Sequence, residues 1–160
     1  MTISSGDTSW VLISTGLVLL MVPALGFFEA GLLRSKNSLS TLMQTFSGLI
    51  ILSILWFVIG FTLVYAPSQG GIIGGLEWTF YNGVPLSTSL DYAPTIPGVT
   101  FATYQMMFAV ITPLLITGAF AERLKWDAFF VFIIALEYIY LLSASALGVG
   151  KRLACAAGCF

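Results

Sequence analysis

The sequence has no histidine, so the commonest metal ligand and the usual proton shuttle near neutral pH are both missing. A Ser–His–Asp set is therefore excluded, and neither a phosphate loop nor a dinucleotide fingerprint occurs. Charge is scarce too, with six Lys plus Arg and seven Asp plus Glu among 160 residues. The acids do not gather into a catalytic pair, so the chain is not expected to be an enzyme. A net charge of -1 without a basic stripe argues against nucleic acid as a partner. The only cysteines, Cys155 and Cys159, could share a helical face, but without His or further Cys they cannot complete a closed metal site. They are read as incidental thiols, and no cofactor is expected.

Charged residues amount to 8%, against roughly 25% in a soluble domain. Hydrophobic residues reach 58%, and mean hydropathy is +0.99. A surface made from so few charges would leave large apolar patches in water, so the lipid bilayer is the expected solvent. Four apolar runs stand out, at residues 10–33, 39–65, 99–120 and 128–147. Each has at least ~20 residues, enough to cross a hydrocarbon core as a helix. Helices satisfy their own backbone groups where lipid offers no partner. The expected fold is all-α, a polytopic transmembrane helix bundle. The N-terminal "MTISSGDTSW" has no Lys or Arg, so the first run is read as a retained span rather than a cleaved signal. Arg34 and Lys36 follow the first span, and Arg123 and Lys125 follow the third. The positive-inside rule then puts those loops in the cytoplasm and the N-terminus outside. Lys151 and Arg152, after the fourth span, break this pattern.

The outer loop, residues 66–97, is rich in Gly, Pro and Ser and carries Trp78, Phe80, Tyr81 and Tyr92. Interfacial anchoring and a vestibule lining are both open readings of those rings. Within the spans, Glu29 is expected to pair with Arg34 or Lys36 or to meet water at the interface, with a water-filled interior as the competing reading. Glu137 lies deeper and has no evident cationic partner. Gly26, Ala30, Gly31, Gly48, Gly118, Ala119 and Ala121 suit close helix packing. Pro23 and Pro113 lie inside spans, where a missing N–H favours a kink. In "TYQMMFAVITP", Tyr104 and Phe108 are four residues apart and share a helical face. Such a stripe is either core packing or a pathway for something small and polar. Gln105 points elsewhere and is read as a packing or interhelix hydrogen-bonding residue.

Two longer motifs carry a resemblance. "TYQMMFAVITPLLITGAFAERLKW", residues 103–126, is similar to the third span of the Amt/Mep/Rh ammonium transporters, and "PALGFFEAGLLRSKNSLSTLMQ" resembles the end of their first span. The resemblance covers residues 9–136. It implies the first four spans of an eleven-helix bundle in the plasma membrane, with the N-terminus outside. Full-length members form homotrimers with one pore per subunit. They recruit ammonium by cation–π contact and pass it through an aromatic gate to a pair of pore histidines. Phe108 matches the third-span gate Phe, and Tyr104 the aromatic position one turn earlier, at the recruitment site. Phe28 matches a Phe near the inner end of the pore, with core packing as the competing role. The partners so implied are ammonium or ammonia, lipid, and a PII-type regulator.

The second gate Phe and both histidines belong to later spans of the family, so this chain is expected to be a truncated, non-conducting fragment. Past Leu136 the text departs from the family's fourth span, as a frameshifted tail over 137–160 would. The alternative is a small non-transporting membrane assembly or ammonium-sensing subunit.

Overall fold

The computed structural model describes residues 3–66, 74–86, 89–90, 93–120 and 123–156, without the side chains of 89 and 144–156. Tyr92, Ala121 and Cys159 lie outside the described residues, as do the side chains of Lys151, Arg152 and Cys155.

Helix α1 (Ser5–Leu32) begins earlier than the apolar run because Ser4 caps it, its Oγ accepting from the Asp7 N–H at 3.3 Å. Pro23 lies within α1, which continues past it. Helix α2 (Ser35–Leu55) runs into a π-turn at Trp56–Gly60 and then α3 (Phe61–Tyr65), so one span extends from Ser35 to Tyr65. A 3-10 turn (Thr79–Tyr81) and two short antiparallel strands, β1 (Ser89–Leu90) and β2 (Ala93–Pro97), occupy the connection that follows. The third span is α4 (Gly98–Leu114) plus α5 (Thr117–Phe120), and the fourth opens α6 (Trp126–Ala156). Among the described residues, four helices are therefore long and apolar enough to cross a membrane, as the expected all-α bundle requires.

Spans one to three pack mutually, and α6 lies against α2, α3 and α4. One apolar cluster centres on Val22, Leu52, Val110, Leu114 and Ile133. A second joins Trp56, Phe61, Ala102, Ala109 and Leu141. Small residues set the helix approach, since lipid supplies no hydrophobic drive between helices. A Cβ on Gly48 would stand 2.6 Å from Leu114 Cδ2, and one on Gly26 3.1 Å from Thr45 Cγ2. Gly31, by contrast, faces open space.

Polar cross-ties fasten both ends. Where α1 meets α2, the Ser38 hydroxyl lies 2.8 Å from the Ala30 carbonyl, and the Trp126 indole N–H donates to Ser40 Oγ at 3.3 Å. At the other end, the Ser4 N–H donates to the Thr95 carbonyl at 2.9 Å. There the Thr62 hydroxyl donates to the Gly75 carbonyl at 2.6 Å and accepts from the Trp78 N–H at 3.2 Å. These last bonds fold the Gly-rich connection back onto span two.

Candidate functional site

Tyr104 and Phe108 sit on one face of α4, their ring centroids 5.0 Å apart and inclined at 71°. The rings meet edge to face rather than stacked. That arrangement points the positive edge of one ring at the negative face of the other. Phe108 is 38% exposed and Tyr104 half-buried, while neighbouring Met107, Ala109, Val110 and Ile111 are buried in the bundle. The pair thus lies on the side of α4 that the bundle leaves open. Thr112 is on the same face one turn on, its hydroxyl donating to the Phe108 carbonyl at 2.7 Å. Gln105 is half-buried. Phe28, on α1, is 65% exposed, and among the described residues no ring contact joins it to the pair.

A larger aromatic group lies at the loop end of span two. Phe61 is fully buried, with Trp78 stacked on it at 5.9 Å and 20°. Tyr81 meets it edge-on at 5.3 Å and meets Phe57 at 5.0 Å. The loop rings are therefore packed on the helix rather than spread along an interface. Phe80 and Tyr81 hold left-handed φ angles of 56° and 59°, which cost a non-glycine residue about 1–3 kcal/mol each. Burial pushes the Tyr81 phenol up to about 12. The nearby Trp56 indole works weakly the other way, its N–H being committed to the Ala102 carbonyl at 3.3 Å. The Tyr81 hydroxyl has no hydrogen-bond partner among the described residues. The π-turn that makes this packing feasible has no periodic signature in the sequence.

The two span acids have opposite surroundings. Glu29 is buried, but its oxygens meet neither Arg34 nor Lys36. Oε2 lies 2.6 Å from the Thr117 hydroxyl, and Oε1 accepts from the Gly118 N–H at 3.0 Å. The expected ion pair or interfacial water is replaced by donors that a break in span three exposes. Glu137 is fully buried, and neither of its oxygens has a hydrogen-bond partner among the described residues. No group of three or more His, Cys, Asp or Glu able to hold a metal occurs among the described residues.

The Ammonium Transporter Family matches residues 9–149. Ammonium transporter 1 of Dictyostelium discoideum is 52% identical over 134 residues, which are 84% of this chain and 29% of that protein. The ammonium transporter of Bacillus subtilis is 47% identical over 127 residues, 79% of this chain and 31% of that protein. Among solved structures, Candida albicans Mep2 superposes with a TM-score of 0.75 at 28% identity, over 89% of this chain and 31% of that one. Saccharomyces cerevisiae Mep2 gives 0.76 at 29% identity, over 89% and 34%. The chain spans less than a third of the length of the two curated relatives. The matched stretch takes in all four membrane-length helices, and the chain belongs to the Ammonium Transporter Family.

Proposed function

We propose that this chain supplies one wall of a membrane pathway for ammonium or ammonia, with Tyr104 and Phe108 as the recruiting and gating rings. The observation that carries this is the half-exposed edge-to-face pair on α4, inside the family-matched stretch. An aromatic face attracts a cation by roughly 0.5–2 kcal/mol per ring, more as water is stripped away. Phe28 lines the inner part of the same pathway. The whole assembly sits in the plasma membrane as a homotrimer, with a PII-type regulator on its cytoplasmic side. The wall alone does not conduct, because an open face cannot enclose a dehydrated path.

Methylammonium uptake in cells lacking other ammonium transporters tests both parts. The 160-residue chain alone is expected to give no saturable uptake, and saturable uptake would overturn the non-conducting part. For the rings, residues 98–120 replace the matching segment of the Bacillus subtilis transporter. Phe108→Ala in that chimera is expected to lower uptake by about 2–30-fold, the range a lost cation–π contact spans. Phe108→Tyr should retain it. Equal uptake by the alanine variant would remove Phe108 from the pathway.

A further inference from the structure

The geometry points to Glu29 as a carboxylate clamp that fastens the last turn of span three to the end of span one. Span three is broken. Pro113 supplies no N–H, α4 ends at Leu114, and the chain passes through a turn at 115–116 before α5 starts at Thr117. The Leu115 N–H still reaches the Ile111 carbonyl at 3.0 Å. The next bond, from the Ile116 N–H, goes only three residues back, to Pro113 at 3.3 Å. Beyond the break, the Gly118 N–H donates to Glu29 Oε1 rather than to its own helix. Each carboxylate oxygen thus meets one donor group of the resumed segment, across 88 and 89 residues of sequence.

The Thr117 hydroxyl lies 2.6 Å from Glu29 Oε2 and 2.6 Å from the Leu114 carbonyl, so the oxygen also spans the break itself. One side chain therefore joins α1, the end of α4 and the start of α5. Gly118 is needed for the approach, because a Cβ there would stand 3.1 Å from Glu29 Oε1. Neighbouring residues on a helix are about 100° apart, so aiming Glu29 at α5 turns Phe28 away from it, onto the exposed side. Phe28's part in the proposed pathway rests on the function proposed above; the clamp does not.

Hydrogen exchange of the full 160-residue chain in detergent, read on peptides covering 114–120, tests the clamp. Gly118 is itself exposed, so protection of its amide depends on Glu29. Glu29→Ala is expected to speed its exchange by about tenfold or more, as loss of a charged hydrogen bond does. Glu29→Gln keeps a carbonyl for the Gly118 N–H and an amide for Thr117 Oγ1, and should restore protection to near wild type. Thr117→Val keeps the volume and the Gly118 bond, and should give an intermediate loss with helix content unchanged. This variant carries the test if Glu29→Ala does not fold. Unchanged exchange in Glu29→Ala, or in Thr117→Val where Glu29→Ala does not fold, would overturn the clamp, as would failure of Glu29→Gln to rescue. Neither result depends on uptake, so the clamp and the transport reading can fail separately.

Discussion

At the scale of single residues, what separates the buried acids is whether the backbone near them has spare donors. Glu29 has a broken helix within reach, and neither oxygen of Glu137 meets a donor among the described residues. An unpaired buried carboxyl is costly, and replacing buried charge by apolar volume is often stabilising by about 1–4 kcal/mol. Glu137→Leu should therefore raise the melting temperature in detergent, whereas Glu29→Leu should lower it. A lower value for Glu137→Leu would mean that this acid has a partner. The family match runs to residue 149 and so takes in Glu137. Tyr81 gives a pH prediction. Its folded phenol titrates near 12, above the ordinary 10.0, so folding favours the neutral form. That contribution is whole below pH 10 and is lost as pH rises through about 12. Tyr81→Phe should lose less stability than wild type over that alkaline window. Parallel loss in the two proteins would show that the phenol is not the titrating group.

At the scale of elements, the π-turn at Trp56–Gly60 makes the difference between a plain span and one that carries an aromatic group. A π-turn inserts one residue into the helical count, which lets Trp56 and Phe61 both face inward although they are five apart. Deleting Val58 should restore the α-helical count and leave Trp56 and Phe61 four apart, the ordinary same-face spacing, so Phe61 should stay under Trp78. Tryptophan emission and proteolysis of the 74–86 segment should then stay near wild type. Shifted emission with faster proteolysis would mean that the inserted residue is itself required for the stack. The four spans were legible in the sequence because twenty-residue apolar runs admit one backbone solution in lipid. The shared face of Tyr104 and Phe108 was legible from four-residue spacing alone. The π-turn was not, since an inserted residue changes phase without changing composition. Nor was the Glu29 clamp, because its donors come from a break 88 residues away, marked only by Pro113 and Gly118.

At the scale of the molecule, the bundle has a buried side and an open one. Leu17, Leu20, Phe27 and Phe28 on α1 and Phe108 on α4 are all exposed. In water such a surface would aggregate, whereas in a bilayer it meets lipid or further protein. Charge then decides which way the bundle points. Arg34 and Lys36 join spans one and two, while Arg123 and Lys125 join spans three and four. The long connection between spans two and three has no basic residue at all. If these four charges set the orientation, a thiol at Ser35 and one at Leu86 must lie on opposite sides. In intact cells, a membrane-impermeant maleimide should label Leu86→Cys, with the native cysteines replaced by serine, and leave Ser35→Cys untouched until the membrane is opened. Neutralising Arg34 and Lys36 to glutamine should weaken this asymmetry, because two of the four loop cations are then gone. Labelling of Ser35→Cys from outside would place the Glu29 clamp on the outer face and invert the direction in which the aromatic pair meets its substrate.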